Sequence, residues 1–153
     1  MSYFIESTYY TCKYSASLSL LETVWHGAIP SSEIQAAFKE IAAILNDKAI
    51  DYLLVDSRLS NAFKITDEQW VRTFVMPLLA STGIKRLARL ACPTVIQQHI
   101  VTGIISAIDY EQQYGFRMRT FREKEEAMDW LFIPEAIKEQ MPYRGDYRAF
   151  SLI

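Results

Sequence analysis

The sequence is poor in the residues that carry metal and nucleophilic chemistry. It contains two cysteines and two histidines among 153 residues. Cys12 and Cys92 lie far apart in the chain, so they provide no disulfide framework, and we expect free, largely buried thiols. Neither His26 nor His99 is followed at three or four positions by a residue that would complete a metal pair. The sequence therefore predicts neither a metal ion nor a cofactor.

Long apolar runs are also missing. A Lys, Arg, Asp or Glu residue interrupts every stretch that approaches the roughly 18 residues of a membrane-spanning helix. The opening residues MSYFIE have neither the basic start nor the apolar segment of a secretory signal. The formal net charge of -2 provides no general positive field. These absences predict a cytoplasmic protein that binds neither membranes nor nucleic acids, with small ligands or other proteins as partners.

Hydrophobic residues make up 50% of the chain and charged residues 22%, which favours a packed core over extensive disorder. A chain of this length is typical of one domain. The composition changes after Ile133, where two prolines and the run YRGDYR follow. We therefore divide the chain into a domain over residues 1–132 and a C-terminal arm or tail over residues 133–153.

The order of strand and helix patterns predicts an α/β fold. Residues 3–25 are rich in Tyr, Thr, Ser, Leu and Val and break near 15–17, which favours an opening β-hairpin. Apolar or alternating runs over 52–55, 87–92 and 116–121 predict three later strands. Helical spacing of apolar residues predicts four helices, around 34–45, 70–78, 96–108 and 127–131. We expect a mixed sheet of about five strands, its later strands parallel, with helices packed mainly on one face.

Two local signals indicate where helices begin or change direction. Ser32 and Gln35 have the spacing of a capping box, which predicts the start of the first helix. Pro77 falls within the second helical pattern and is expected to bend or break that helix.

Single residues spread along this pattern resemble the STAS-like family, which is related to the anti-sigma-factor antagonist domain. They are Trp25-His26-Gly27, Asp56-Ser57-Arg58, Trp70, Pro77, Ala127 and Trp130-Leu131. The resemblance covers residues 1–132 and implies a small sheet-and-helix domain that regulates by binding another protein. In the sporulation-type members a serine after the central strand is phosphorylated. Ser57 matches that serine, whereas the following segment RLSN departs from the small, glycine-containing segment of the family.

The candidate site lies at the end of the predicted central strand. Asp56, Ser57 and Arg58 occupy the carboxyl end of that strand, where open α/β sheets bind ligands. Together with Trp70 they form the predicted ligand- or partner-binding site, with Ser57 as the candidate phosphorylation site. In the alternative interpretation, Asp56 caps the following turn and pairs with Arg58.

Basic residues gather around the last two predicted strands. Arg117 and Arg119 alternate along one strand, and Lys85, Arg86 and Arg89 flank the preceding one. This pattern predicts either an anion-binding patch or a solvated edge strand protected by charge, and the second interpretation is favoured.

The N-terminal aromatic residues exceed what one face of a core needs. They are Tyr3, Phe4, Tyr9, Tyr10 and Tyr14. Alternation places some of them on the opposite face of the sheet, which a second copy of the chain or the C-terminal arm would cover. The sequence does not choose between a homodimer and the arm.

Three functions follow from these observations. The leading hypothesis is a non-catalytic protein-interaction module in signalling or regulation, switched at Ser57. The alternative is a carrier or sensor of a small apolar or anionic ligand, held near Trp70, Asp56 and Arg58. The third is an enzyme that uses Asp56, or Cys92 with its thiol activated at the start of a helix.

Overall fold

The computed structural model describes residues 2–60, 71–92 and 114–133, and the structure below is that of these residues. The first half contains strands β1 (Ser2–Glu6), β2 (Tyr10–Ser15) and β3 (Leu20–Gly27), helix α1 (Ser31–Lys48) and strand β4 (Tyr52–Ser60). The second half contains a π-helical turn (Val71–Val75), helix α2 (Met76–Ala80), strands β5 (Arg86–Leu90) and β6 (Arg117–Phe121), and helix α3 (Lys124–Phe132).

The six strands form one mixed sheet in which the spatial order follows the chain order. The pairs β1–β2 and β2–β3 are antiparallel, and the three later pairs are parallel. Parallel neighbours need a long crossover, and α1 supplies it between β3 and β4. The predicted α/β class, the parallel later strands and the central position of β4 are confirmed.

The opening of the chain contains one strand more than predicted. The turn between β2 and β3 confirms the predicted break at 15–17. A second turn separates β1 from β2, where the Ser7 amide donates to the Tyr10 carbonyl oxygen at 2.8 Å. This turn has the sequence Ser-Thr-Tyr and lacks the glycine or proline that would mark it. The predicted hairpin is therefore a three-stranded antiparallel unit, and the sheet has six strands.

A hydrophobic core covers each face of the sheet. The larger core lies under α1 and α2 and includes Phe38, Ile41, Leu45, Met76 and Leu79 from these helices. On the other face, α3 packs Ala127, Trp130 and Leu131 against Leu20, Leu54, Ala88, Leu90 and Phe121 of the sheet. Two of the described helices therefore share one face, and the last helix covers the other.

The tyrosines in and just before β2 do not form the second apolar face that the sequence suggested. Tyr10 is buried in the larger core, and Tyr9 and Tyr14 pack against the same core. The side chains of Tyr3 and Phe4 lie outside the described residues. These three tyrosines therefore pack on the face of the sheet that α1 covers, and they do not add apolar surface to the opposite face.

The start of α1 corrects one prediction. Pro30 has extended backbone angles, and its carbonyl oxygen accepts hydrogen bonds from the amides of Glu33 and Ile34 at 3.0 and 3.1 Å. The helix begins at Ser31, so Ser32 lies inside the first turn and not at the N-cap. The predicted capping box is wrong because the preceding proline already fixes the turn.

The second helix is continuous from Val71 to Ala80 and changes its hydrogen-bonding pattern beside Pro77. The π-helical turn ends at Val75 and the α-helix begins at Met76. Pro77 cannot donate a backbone hydrogen bond, which disfavours a continuous α-helical ladder through this point. The predicted third helix, over 96–108, lies outside the described residues, and α3 confirms the fourth.

Candidate functional site

The carboxyl half of β4 contains a β-bulge at the predicted site. Val24 of β3 pairs with Asp56, but His26 pairs with Leu59, so the register shifts by one residue. Two residues of β4, Ser57 and Arg58, therefore stand opposite one residue of β3. Bulges of this kind redirect side chains at the ends of strands.

Asp56 and Arg58 form a closed ion pair at the bulge. The Asp56 Oδ1 atom accepts hydrogen bonds from the Arg58 backbone amide at 3.1 Å and from Nε at 2.9 Å. The Oδ2 atom accepts a third bond from Arg58 Nη2 at 2.9 Å. This hydrogen bonding to Asp56 raises the pKa of the Arg58 guanidinium, which is fully protonated at physiological pH. The interpretation in which Asp56 caps the turn and pairs with Arg58 is confirmed.

Arg58 also connects β4 with the segment between β6 and α3. Its Nη1 atom donates to the Arg122 carbonyl oxygen at 3.4 Å. Asp56 follows Leu54 by two residues and therefore shares the face of the sheet that α3 covers. Helix α2 packs on the opposite face, so the described residues do not place α2 beside this pair. Trp70, the fourth predicted site residue, lies outside the described residues.

Ser57 is buried and its hydroxyl group is engaged. The Oγ atom donates to the Leu90 carbonyl oxygen at 2.9 Å, which joins the bulge to the last residue of β5. The residue is 6% exposed. A modifying enzyme would reach this hydroxyl only after the ends of β4 and β5 separate.

The sequence did not single out Leu59, which is the most exposed large hydrophobic residue of the described chain. It is 72% exposed, and Leu18, at 42%, is the other such residue. Simple alternation from Leu53 and Val55 would direct residue 59 into the larger core. The bulge adds one residue and reverses the alternation, as any shift of one position does. This reversal cannot be predicted from the sequence pattern, because it depends on how β4 pairs with β3.

The two cysteines differ in their surroundings. Cys12 is fully buried in β2, whereas Cys92 follows β5 and is half-buried. Burial, together with the charge of Glu40, raises the pKa of the Cys12 thiol from its ordinary value of 9.0 to about 12. The Cys12 thiol is therefore neutral at physiological pH, and burial disfavours the thiolate, which is the nucleophilic form.

Stability is expected to fall at alkaline pH because of Cys12. The unfolded thiol loses its proton between about pH 8 and pH 10, whereas the native thiol keeps it, since its folded pKa is the higher one. This difference lowers the free energy of unfolding by about 1.4 kcal/mol over that interval. Urea unfolding at about pH 8 and about pH 10 measures the fall in the free energy of unfolding. This fall should be about 1.4 kcal/mol smaller in a Cys12→Ala variant than in the natural protein. Equal losses in the two proteins would contradict the raised pKa.

Among the described residues, no group of three or more His, Cys, Asp or Glu side chains could hold a metal ion. No helix in the same part of the chain combines the length and the apolar character needed to cross a membrane.

Comparison with known proteins gives a match at the level of structure. No protein-family model matches the chain, and no curated protein matches it. Among solved structures, the chain is similar to an uncharacterized protein from the DUF3478 family with a SpoIIAA-like fold from Shewanella loihica PV-4. The match has 13% sequence identity and a TM-score of 0.44, and it covers 86% of this chain and 92% of that chain.

Proposed function

We propose that the domain is a non-catalytic protein-interaction module whose partner contacts the bulged end of β4, with Arg58 and Leu59 at the centre of the contact. The observation that carries the proposal is the exposure of Leu59, at 72%, directly beside an arginine that is held in one position. An aliphatic anchor next to an ordered arginine is typical of the residues that dominate protein interfaces.

The ion pair with Asp56 prepares Arg58 for such a contact. A long arginine side chain normally loses conformational freedom when a partner immobilises it. Here two side-chain hydrogen bonds to Asp56 and one to the Arg122 carbonyl oxygen already restrict the guanidinium group. The Arg58 side chain nevertheless remains 34% exposed. A partner would therefore bind Arg58 at a reduced entropic cost.

The same hydrogen bonds favour binding over catalysis at this site. A general base needs a carboxylate that can accept a proton from a substrate. Both oxygen atoms of Asp56 accept hydrogen bonds from Arg58, and the residue is only 8% exposed. The Ser57 hydroxyl, a conceivable nucleophile, donates to a backbone carbonyl and not to a base.

Phosphorylation of Ser57, which the STAS-like resemblance implies, fits this proposal as its regulation. A phosphate at Ser57 Oγ removes the proton that the hydroxyl donates to the Leu90 carbonyl oxygen. It also places negative charge beside the ion pair of Asp56 and Arg58. Both effects act on the strand end that carries Leu59, so the modification would change the proposed contact surface.

The experiment that tests the interaction is site-specific photo-crosslinking in cells of the source organism. We expect a photoreactive phenylalanine analogue at position 59 to form a discrete crosslinked species with another protein, which mass spectrometry identifies. The same analogue at position 18 is the matched control, since Leu18 is also an exposed leucine but lies in the turn between β2 and β3. Position 18 is expected to give no such product.

A Leu59→Asp substitution then tests binding without the crosslinker. Affinity of the identified partner should fall by at least about tenfold, as expected for a central hydrophobic contact, whereas Leu18→Asp should leave it unchanged. Identical crosslinks at both positions, or an unchanged affinity of Leu59→Asp, would refute the assignment of the contact surface.

A further inference from the structure

The face of the sheet that α3 covers is open over its antiparallel half. The core under α3 contains residues of β3, β4, β5 and β6, and none of β1 or β2. Five residues of β1, β2 and β3 lie on this face, because each adjoins a residue that packs in or against the larger core. They are Glu6, Thr11, Lys13, Val24 and His26, and each is half-buried or exposed. We call these five residues the open face.

Helix α3 is held over the parallel half of the sheet. The guanidinium carbons of Arg86, Arg117 and Arg119 lie 5.3, 5.8 and 5.7 Å from the centre of the Trp130 ring. Arg86 also donates to the Trp130 carbonyl oxygen, which ties the start of β5 to the last turn of α3. These contacts fix α3 over β5 and β6, so the helix does not extend over the open face.

The open face continues into the proposed contact surface. His26 pairs with Leu59 across β3 and β4, and Val24 pairs with Asp56. Paired positions of neighbouring strands share a face of the sheet. Leu59, which is 72% exposed, therefore lies at the border of the open face. A segment that covers the open face also comes close to Leu59.

The open face by itself is small for a stable contact with a separate molecule. Three strands about 4.8 Å apart and about 20 Å long give a footprint on the order of 300 Å². Stable association of two proteins buries about 800 Å² on each partner. A segment of the same chain needs less area, because its covalent connection spares most of the translational freedom that binding costs. The size of the open face therefore favours an intrachain segment over a second copy.

The described chain leaves α3 beside the open face. Phe132, the last residue of α3, packs edge-on against Tyr52 with ring centroids 5.1 Å apart. Tyr52 pairs with Leu20, the first residue of β3. From Leu20 to His26 the strand spans about 20 Å, a distance that about six extended residues cover. The C-terminal arm continues over residues 134–153, which is long enough to cross the open face.

The residues of the arm suit the chemistry of the open face. Glu6 and Lys13 are exposed, and neither side chain forms a hydrogen bond or an ion pair within the described part of the chain. The sequence YRGDYRAF over 143–150 carries charges of both signs and three aromatic residues. Its charges can pair with Lys13 and Glu6, and its aromatic rings can pack on Val24.

We propose that residues 134–153 fold back over the open face and compete with the partner that contacts Leu59. The arm is then an autoinhibitory segment. The docking of the arm stands on the position, the size and the charges of the open face. The competition also rests on the proposed function.

Paramagnetic broadening of NMR signals in the full chain tests the docking. A nitroxide is attached at Ser151→Cys in a Cys92→Ser background, in which the remaining thiol is fully buried. The amide signals of Thr11 and Val24 should lose intensity, whereas that of Asn46, on the exposed side of α1 across the sheet, should not. Equal intensities at Val24 and Asn46 would overturn the docking. Broadening between chains in a mixture of spin-labelled and isotope-labelled protein would assign the open face to a second copy and would also overturn it.

A charge reversal tests the contact with the arm. Lys13→Glu should weaken the docking by at least about twofold, because it replaces an exposed ion pair with a repulsion. Lys39→Glu is the matched control, since it makes the same change at an exposed lysine of α1, and it should leave the broadening unchanged. Circular dichroism confirms that both variants are folded. Equal effects of the two substitutions would refute the contact at Lys13.

A photoreactive phenylalanine analogue at position 59 tests the competition. In the purified protein it should form an intramolecular crosslink to a peptide from residues 134–153. Addition of the partner should reduce the yield of this crosslink by at least about twofold, since one surface cannot hold both. A missing crosslink, or a yield that the bound partner does not change, would refute the competition. The broadening experiment decides the docking independently of any partner.

Discussion

Replacing Trp25 by alanine is expected to lower the free energy of unfolding by about 3–5 kcal/mol, because it removes the centre of the larger core. Trp25 is fully buried. Its ring stacks on Tyr10 and on Phe38 with centroid distances of 5.1 Å in both cases. The indole Nε1 atom donates to Thr23 Oγ1 at 3.0 Å, and that hydroxyl donates to the Leu54 carbonyl oxygen at 3.1 Å. The substitution thus removes both aromatic contacts and one member of a buried hydrogen-bonded chain.

Urea unfolding followed by circular dichroism measures this loss. A Trp25→Phe variant keeps a stacked ring, so its free energy of unfolding should fall clearly less than that of the alanine variant. This second variant tests the prediction even where the alanine variant does not fold. Leu59→Ala is the surface control and should change stability by less than about 0.5 kcal/mol. A loss below about 1 kcal/mol for Trp25→Ala would show that the stack does not support the sheet.

Replacing Ser57 by aspartate is expected to lower the free energy of unfolding by about 3 kcal/mol or more. The carboxylate has no proton to donate to the Leu90 carbonyl oxygen, so two acceptors face each other in a buried position. The new charge also lies next to Asp56, whose oxygen atoms already accept hydrogen bonds from the Arg58 guanidinium group. A buried charge without its own partner is strongly destabilising.

Two further variants separate the causes of that loss. Ser57→Ala removes the hydrogen bond without adding a charge and should cost about 1 kcal/mol. Ser17→Asp adds the same charge at an exposed serine of the turn between β2 and β3 and should be within about 0.5 kcal/mol of the natural protein. If Ser57→Asp is as stable as the natural protein, the bulge accepts negative charge without opening, and a switch at Ser57 cannot act by separating β4 from β5.

The sequence predicted the later strands and helices better than the opening of the chain. The run at 52–55 is apolar and the run at 87–92 is apolar except for Arg89, since the sheet is covered on both faces, and these runs form parts of β4 and β5. The predicted hairpin was wrong at residues 7–9, because a backbone turn forms there without glycine or proline and divides the first strand in two. Its tyrosines also suggested an apolar surplus, which packing of Tyr9, Tyr10 and Tyr14 in the larger core accounts for.

The candidate site was located by the sequence but not described by it. The carboxyl end of a central strand is a position that chain order alone identifies, and the spacing of Asp56 and Arg58 suggested their pairing. The register shift against β3 is a relation between residues more than thirty positions apart. A local sequence pattern does not show how two distant strands pair, so the exposure of Leu59 could not be predicted from it.

The sequence by itself determined the α/β class, the central place of β4 and the ion pair of Asp56 with Arg58. These features depend on hydrophobic periodicity and on contacts between residues close in the chain. Only the tertiary structure decided the bulge, the bond from Ser57 to Leu90 and the gathering of three arginines around Trp130. Each of these joins separate elements, and their geometry exists only once the strands have paired in register and α3 has packed on the sheet.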